Sequence, residues 1–476
     1  MTFQTIPVQI TGGSYQSQSK PLSSQQTVNF YPKSTPLAKE KFVLFSFPGL
    51  KLLGEPTGLL GIDRGLHRMA ESLYQVKGQT LYIIDKLGAH TTLGAILGTD
   101  RCIMANDGVS LFIVSSTGVY QYNSDTSAVS LVTDSNIVGA KSVAFINNQF
   151  IYTNDLFSVI SNVGDGSTAN GLNVIGEESL PDNMVRDFIF DDIIYRASER
   201  SIVAWYNSGV GNPPIEKLQG RIFQVGLAAI NSIARTDDAM YWLGDDFCIY
   251  QSSAGAKIKI STDAISNEIQ GYSTVTDAIG NTFHIDGISF YTISFPIGGK
   301  TFVLNETLGQ QGWFELSSGI SDGNYQGSSF IQCYGKILVA DGANGNVYTL
   351  DAKTYTNNGE TIKRVRTTDS VNSVAFGAQG KFIQMSKAKF IMESGVGLIS
   401  GQGENPRIMV EYSDDGGYTW KHGSWPRVGR LGERTLQIEF FNLTKFYDRI
   451  FRVSTTDPVS YSIFSATIDL RLVGNG

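Results

Sequence analysis

The stretch GKILVADGANGNVYTLD, residues 335–351, contains the pattern that decides the fold: a strand, a turn rich in Gly and Asn, and a second strand. Similar units recur through residues 42–350, among them GQTLYII at residues 78–84, GVSLFIV at 108–114 and DGISFYTISF at 286–295. Turn residues that bound aromatic-rich strands are typical of β-hairpins. A long series of similar hairpins favours radial repetition over a sandwich, so we expect a β-propeller of about six or seven blades.

Composition supports an all-β chain. Of the 476 residues, 41% are hydrophobic and only 17% are charged, and 51 are Gly. Long solvated helices are usually rich in Glu, Lys and Arg, so this low charge argues against them. One short helix is predicted within STDAISNEIQG, residues 261–271, with Thr262 as its N-cap and Gly271 as its C-terminal stop.

Three regions are expected along the chain. Residues 1–40 are polar and contain four prolines, which indicates an extended N-terminal arm that lies across a neighbouring domain or subunit. Residues 41–365 contain the propeller. Residues 366–476 contain more closely spaced strands with stronger alternation, which favours a separate β-sandwich-like platform domain.

Charge and composition restrict the possible partners. The net charge is −7 and the chain contains no run of Lys and Arg, which argues against sequence-specific DNA binding but is compatible with a channel through which DNA slides. The N-terminus lacks the features of a signal peptide, and no apolar run is long enough to span a membrane. We therefore expect synthesis in a cytoplasm and no membrane partner.

No cofactor or metal site is expected from the sequence. The three cysteines, Cys102, Cys248 and Cys333, are far apart and outside any CxxC pattern, so they are interpreted as buried apolar thiols. The four histidines show no metal-binding or triad spacing. The stretch IGGKT, residues 297–301, resembles the end of a P-loop but lacks the earlier Gly, so a hairpin turn is predicted there.

The sharpest motif is SDDGGYTW at residues 413–420, which matches the Asp-box pattern S-x-D-x-G-x-T-W. The matching residues are Ser413, Asp415, Gly417, Thr419 and Trp420. We expect a structural hairpin in which the Asp side chain caps turn amides. Asp-boxes also occur in sialidases, so a carbohydrate-binding or sialidase-like glycoside-hydrolase propeller is the alternative function. Sialidases carry several such boxes and an arginine cluster, whereas this chain carries one box, so no catalytic residue is assigned.

Residues 413–473 resemble the C-terminal end of the packaged-DNA-stabilisation, or tail-hub, family of short-tailed phages. The resemblance rests on the Asp-box hairpin, a W-x-x-x-G-x-x-G-E stretch at Trp425–Glu433, the strand DRIFRV at Asp448–Val453 and the turn TDPV at Thr456–Val459. Upstream, FPGL at Phe47–Leu50 and residues 286–319 also match. The stretch FFNLTKFYDR, residues 440–449, is less basic than the corresponding part of the family.

The resemblance implies a virion structural protein of a short phage tail, assembled in the host bacterial cytoplasm, and not an enzyme. Family members form a six-fold ring below the head-to-tail adaptor and portal, where they extend and close the DNA channel and retain packaged DNA. The tail needle and the tailspikes or fibres attach to this ring, and the genome passes through without specific contacts. The arm and the C-terminal domain are expected to form the ring contacts. Deletion of residues 2–30 is then expected to leave the propeller folded and to prevent ring formation.

Overall fold

The computed structural model describes residues 3–56, 58–176, 182–210, 213–253, 255–376, 380–441 and 444–473. These residues are folded almost entirely into β-strands, which confirms the predicted all-β class. They form a propeller and a β-sandwich that share one continuous sheet.

The propeller contains seven four-stranded antiparallel sheets within the described residues, inside the predicted range. Blades 1 to 5 are separate sheets, blade 6 continues into the sandwich, and blade 7 takes its outermost strand from the N-terminal part of the chain. The strands are Asp63–Met69, Ser72–Lys77, Thr80–Ile84 and His90–Ala95 in blade 1; Ile103–Asn106, Ser110–Ser115, Gly118–Asn123 and Ala128–Leu131 in blade 2; Ser142–Ile146, Gln149–Thr153, Phe157–Asn162 and Asp165–Gly176 in blade 3; Met184–Phe190, Ile193–Ser198, Ile202–Asn207 and Ile215–Phe223 in blade 4; Ala234–Arg235, Met240–Leu243, Ile249–Ser253 and Ala256–Lys259 in blade 5; Ile279–Ile285, Ile288–Phe295, Lys300–Asn305 and Trp313–Leu316 in blade 6; and Gly327–Cys333, Lys336–Asp341, Val347–Asp351 and Gly49–Leu52 in blade 7.

Each pair of neighbouring blades shares its own hydrophobic core. Side chains alternate between the two faces of a strand, so a blade buried on both faces needs apolar residues at nearly every position. Aromatic residues fill much of this space. Between blades 5 and 6, for example, the rings of Tyr241 and Tyr291 stack with centroids 4.7 Å apart. Between blades 6 and 7, Phe283 and Phe330 stack at 5.0 Å.

The ring closes through residues that are far apart in sequence. Strand Gly49–Leu52 pairs antiparallel with Val347–Asp351 and so completes blade 7. Asp63 of blade 1 is buried, and its Oδ2 accepts hydrogen bonds from the hydroxyls of Ser328 (2.8 Å) and Ser329 (2.5 Å) of blade 7. Closure by strand pairing and buried polar contacts protects the edges that an open sheet would expose.

The sandwich has two sheets around one core, as the predicted fold class requires. The first sheet consists, in spatial order, of Ile438–Phe441, Phe382–Met392, Ser462–Val473, Phe42–Ser46 and Phe30–Ser34, with Gln4–Val8 and Lys445–Phe446 paired beside it. The second sheet consists of Thr27–Val28, Arg364–Thr367, Asp448–Thr455, Met409–Ser413 and Lys421–Ser424, with Val371–Asn372 paired to one of its strands. Side chains from both sheets, such as Phe390 and Phe451, meet in the core between them.

The N-terminal region departs from the expected extended arm, because three of its strands, Gln4–Val8, Thr27–Val28 and Phe30–Ser34, are part of the sandwich. Ile10, Val28 and Phe30 are buried, and Gln4–Val8 pairs with the long strand Ser462–Val473. Because residues 1–40 are mostly polar and contain four prolines, the sequence did not indicate that Ile10, Val28 and Phe30 are buried. The propeller is also shorter than the expected range of residues 41–365. Strand Phe42–Ser46 belongs to the sandwich, and the propeller strands run from Gly49 to Asp351.

Thr27–Val28 joins the two bodies. Val28 pairs in parallel with Glu315 at the end of blade 6 and antiparallel with Val365 of the sandwich. The next residue, Asn29, is buried with a φ of 55°, and its side-chain amide donates to the carbonyls of Ser317 (3.1 Å) and Lys363 (2.7 Å). This short strand therefore makes blade 6 and the second sandwich sheet one continuous sheet.

The remaining elements are short. The predicted helix is present as Asp263–Gln270, with the Thr262 hydroxyl accepting from the Ile265 amide at 3.3 Å, and it packs Ile265 and Ile269 into the core between blades 5 and 6. Gly271 ends it at a right-handed φ of −77°. The other elements are the 3₁₀ segments Glu306–Gly312 and Ser373–Phe376, and the hairpins Tyr15–Gln16 with Ser24–Gln25 and Thr356–Asn357 with Glu360–Thr361. None of the helices in the described residues is long and apolar enough to cross a membrane.

Candidate functional site

The Asp-box residues form a compact hydrogen-bonded hairpin between strands Met409–Ser413 and Lys421–Ser424. The Asp415 carboxylate accepts hydrogen bonds from the amides of Tyr418 (3.0 Å) and Thr419 (2.9 Å) and from the Thr419 hydroxyl (2.5 Å). The Ser413 hydroxyl donates to Asp415 at 2.7 Å and accepts from the Gly417 amide at 2.8 Å. Each of these contacts is internal to the turn, so the motif organises the hairpin itself.

Hydrogen bonding to the charged carboxylate also sets its acidity. The hydroxyl and amide of Thr419, followed by the hydroxyl of Ser413, hold the pKa of the exposed Asp415 well below its ordinary value. Gly417 has a φ of +93°, a conformation that side-chain-bearing residues rarely adopt. The Ser, Asp, Gly and Thr of the motif therefore each have a local structural role.

Two arginines from one strand fix this hairpin to the sandwich. Arg449 is fully buried and donates from Nε to Asp414 (2.6 Å), while its guanidinium lies 4.2 Å from the Tyr412 ring centroid. Arg452 donates to Glu411 (2.8 Å) and lies 4.1 Å from the Trp420 ring centroid. Both arginines belong to DRIFRV, which explains why that stretch accompanies the Asp-box.

The hairpin also contacts the N-terminal region. The Ser24 hydroxyl donates to the Gly416 carbonyl at 2.7 Å, and Lys20 lies 5.1 Å from the ring centroid of Tyr418. The Asp-box, the Tyr15–Gln25 segment and the helix Asp263–Gln270 border one open groove between the sandwich and the propeller. The Asp-box thus helps to fix the position of the sandwich on the propeller.

A second feature of the sandwich is an exposed apolar surface formed by residues 396–404 and 425–434, here called the Trp425 surface. Its large apolar side chains are largely exposed: Ile399 by 86%, Leu431 by 62% and Trp425 by 56%. Large exposed apolar side chains in neighbouring loops are typical of an interaction site. The sequence indicated this stretch only through the resemblance at Trp425–Glu433, since nothing in its composition reveals that Trp425 points outward.

Glycines allow the two loops of the Trp425 surface to lie against each other. The Gly395 amide donates to the Val428 carbonyl at 3.1 Å, and the Gly432 amide donates to the Gly395 carbonyl at 3.2 Å. Gly429 has a φ of +108°, and a Cβ there would lie 3.0 Å from the Gly395 amide nitrogen. The W-x-x-x-G-x-x-G-E spacing therefore reflects a close loop contact that holds the exposed Trp in place.

Ion pairs surround the apolar part of the Trp425 surface. Arg427 pairs with Glu433 at 3.2 Å, and Arg430 lies 3.8 Å from Glu404. An apolar centre with a polar rim is the usual anatomy of a protein–protein interface.

The propeller has a small polar cavity at its axis that is open to solvent and lined by residues from six of the blades. Two arginines, Arg101 and Arg186, lie on its wall together with His67 and Asn231, and no Asp, Glu or Tyr is among its described lining residues. A sialidase-like site would place an arginine cluster beside two carboxylates and a Tyr. Within the part of the chain that the structure describes, no group of three or more His, Cys, Asp or Glu residues could hold a metal ion.

The cysteines and the P-loop-like stretch have structural positions. Cys102 and Cys333 are buried, Cys248 is half-buried, and all three are free thiols. Burial raises the pKa of Cys102 to about 12, which keeps this thiol protonated. Residues 296–299 form the turn between strands Ile288–Phe295 and Lys300–Asn305, with the Gly299 amide bonded to the Phe295 carbonyl.

Comparison with known proteins identifies the propeller. The family model described as "Bacteriophage P22 Gp10, beta-propeller" matches residues 4–355. No curated protein matches the sequence. Similar solved structures include the computationally designed Ika8 protein (12% identity, 69% of this chain and 99% of that chain, TM-score 0.39), the N-terminal domain of Nup159 (9%, 69% and 99%, 0.40) and the Neurospora crassa Pan2 WD40 domain (9%, 65% and 96%, 0.43).

The described residues thus form a closed β-propeller joined to a β-sandwich, which places the chain among β-propeller proteins. Because the family match spans well over half of the chain, the chain belongs to the phage family that stabilises packaged DNA. Membership associates it with the phage particle and with a structural role. The match ends before the Asp-box, so the resemblance at residues 413–473 stands on the motifs alone.

Proposed function

We propose that this protein is the tail-hub subunit of a short-tailed phage. Six copies form a ring on the adaptor-capped portal, extend and close the DNA channel, and retain the packaged genome. The ring forms in the host bacterial cytoplasm and provides attachment for the tail needle and for tailspikes or fibres. The single observation that carries this proposal is the family match over residues 4–355, since the family stabilises packaged DNA.

The Trp425 surface supports a role in assembly. A subunit that closes a ring by rotation needs two different complementary patches, and each can be modest in area when a neighbouring ring templates assembly. Large apolar side chains held by a rigid loop contact suit one of these patches, because little conformational entropy is lost when they bind. In this proposal the Trp425 surface contacts the neighbouring subunit or the adaptor.

The overall charge supports passage of DNA. A chain with a net charge of −7 lacks the general attraction to phosphates that makes nucleic-acid binders adhere to DNA. A channel wall with these properties lets the genome move during ejection.

The test mixes adaptor-capped portal complexes with the full-length chain and images them by negative stain. The unaltered chain is expected to add a six-fold ring. The double variant Trp425→Ser/Leu431→Ser is expected to bind at least tenfold more weakly, since it removes two exposed apolar contacts. The matched control is Leu156→Ser/Leu172→Ser, two exposed leucines on blade 3.

The outcomes separate the parts of the proposal. Failure of the unaltered chain to bind the portal complex contradicts the tail-hub function itself. Equal ring formation by the Trp425 variant and the control excludes the Trp425 surface from the interface and leaves the hub function standing. Unchanged melting temperatures establish that neither double variant acts through folding.

A further inference from the structure

The axial cavity of the propeller is open to solvent, and most of its accessible lining is polar. Its volume is about 210 Å³, and its lining comes from blades 1, 2, 4, 5, 6 and 7. Ligand pockets for drug-sized molecules are usually about 300–1,000 Å³, so this cavity suits a smaller occupant. The wall combines two guanidinium groups with uncharged polar groups, including Asn231 and Ser329.

Arg186 carries a charge that nothing in the described residues compensates. Its Nη1 donates to the Ile230 carbonyl at 3.0 Å, while its buried Nε has no hydrogen-bond partner among the described residues. It forms no ion pair with a described carboxylate. Burial lowers the pKa of Arg186 to about 10, which still leaves it charged at neutral pH. Arg186 is partly buried, and a partly desolvated charge without an ionic partner is unfavourable, so an anion beside it would stabilise the fold.

Arg101 adds a second cation to the same wall. Its Nη1 lies 3.7 Å from Oδ2 of the buried Asp63, and its Nη2 donates to the Ser329 hydroxyl at 2.7 Å. The Asp63 carboxylate therefore partly compensates the charge of Arg101. Burial lowers the pKa of His67 to about 4, and this imidazole is therefore neutral at pH 7. The cavity thus has a net positive wall and no competing carboxylate among its described lining residues.

We propose that this cavity binds one small oxyanion of the phosphate or sulfate class, with Arg186 as its principal ligand and Arg101 as the second. Guanidinium groups present several N–H donors in a plane that matches the oxygens of such anions. The bound ion neutralises Arg186 and links the inner strands of blades on opposite sides of the ring. It therefore acts as a structural ion at the centre of the propeller.

The test measures calorimetric binding and melting temperature for the full-length chain, with sodium phosphate or sulfate replacing chloride at constant ionic strength. The expected result is one site per chain and a phosphate-dependent rise in melting temperature, because a ligand that binds only the folded state stabilises it. Arg186→Gln is expected to weaken phosphate binding at least tenfold and to abolish the rise. Arg434→Gln, at an exposed arginine of the sandwich, is the matched control and is expected to behave as the unaltered chain.

A purely structural role for Arg186 gives a different result. If Arg186 acts only through its hydrogen bond to Ile230, Arg186→Gln lowers the melting temperature equally in chloride and in phosphate. If Arg186 binds an anion, the substitution does not lower the melting temperature in chloride, because it removes a charge that has no partner there. If this variant does not fold, Arg186→Lys keeps the charge and is expected to bind phosphate more weakly than the unaltered chain. Absence of phosphate binding to the unaltered chain overturns the proposal, as does binding of a short oligonucleotide without binding of inorganic phosphate.

Discussion

At the scale of single residues, Asp415 shows how a motif known from enzymes organises the turn of a hairpin. Among the described residues, its carboxylate receives donors from its own turn alone, from Tyr418, Thr419 and Ser413. The depressed pKa follows from these donors, which favour the charged form in the folded state. A depressed folded-state pKa means that the stabilisation is present above the unfolded pKa of about 3.9 and is lost as the pH falls through the lower folded value.

The first prediction follows from this pH dependence. Asp415→Asn is expected to lower the melting temperature at pH 7, because an amide is a weaker acceptor than a carboxylate. The difference from the unaltered chain is expected to shrink as the pH is lowered below 4, because the Asp415 carboxyl of the unfolded chain then takes up a proton while that of the folded chain stays charged. Melting curves between pH 2.5 and 7, with the exposed Asp125→Asn as control, check this. A difference that stays constant with pH would contradict the stated role of the carboxylate.

Arg366 is the residue that sequence analysis missed most clearly. It is fully buried, and its guanidinium donates to the Ile10 carbonyl (2.7 Å), the Gly13 carbonyl (2.9 Å) and the Thr27 hydroxyl (2.7 Å). These acceptors lie more than 300 residues away in sequence, so no local pattern could reveal them. The guanidinium therefore holds the N-terminal segment onto the sandwich.

The second prediction concerns this contact. Arg366→Met is expected to destabilise the protein by roughly 2–4 kcal/mol, because the carbonyls of Ile10 and Gly13 lose a charged donor. Urea unfolding followed by tryptophan fluorescence measures the change, and Arg434→Met at an exposed position is the control. An unchanged midpoint would show that water or another side chain replaces the guanidinium.

At the scale of elements, local signals in the sequence predicted the fold well. Turn residues between aromatic strands identify the hairpins within blades, and an N-cap Thr identifies the helix Asp263–Gln270. Pairings between distant segments have no such signal. The two-residue strand Thr27–Val28 and the outer strand Gly49–Leu52 could not be assigned from sequence, because their partners lie hundreds of residues away. The Asp-box residues were found from the pattern, whereas the exposure of Trp425 depends on how two loops pack.

The third prediction tests the closing strand of blade 7. Leu50 is fully buried between blades 6 and 7, so Leu50→Ala is expected to cost about 2–5 kcal/mol through lost burial and a residual cavity. Lys51→Ala, on the exposed face of the same strand, is expected to change stability by less than about 0.5 kcal/mol. Denaturant unfolding gives both values, and hydrogen exchange is expected to increase first in Val347–Asp351. Equal effects of the two substitutions would mean that this strand does not close the ring.

At the scale of the whole molecule, the propeller and the sandwich are coupled through the N-terminal region. Val28 connects their sheets, and Ser24 contacts the Asp-box hairpin. Gly49–Leu52, from the same part of the chain, closes the propeller. The first 52 residues therefore help to fix the orientation of the sandwich, and with it the Trp425 surface, relative to the propeller.

The last prediction separates the two roles of this region. Deletion of residues 2–30 removes the buried Ile10, Val28 and Phe30 and leaves Arg366 without its acceptors, so the sandwich is expected to unfold. The propeller keeps its closing strand Gly49–Leu52 and is expected to stay folded. Deletion of residues 2–9 removes only the paired strand Gln4–Val8 and is the matched control, expected to retain both bodies with a modest loss of stability. Calorimetry with limited proteolysis distinguishes them: the longer deletion should show a propeller transition alone and rapid cleavage after residue 364, whereas the control should resist cleavage. Protection of the sandwich in the longer deletion would show that residues 2–30 are dispensable for folding, and any loss of ring formation by that variant could then be assigned to a direct contact with the neighbouring subunit.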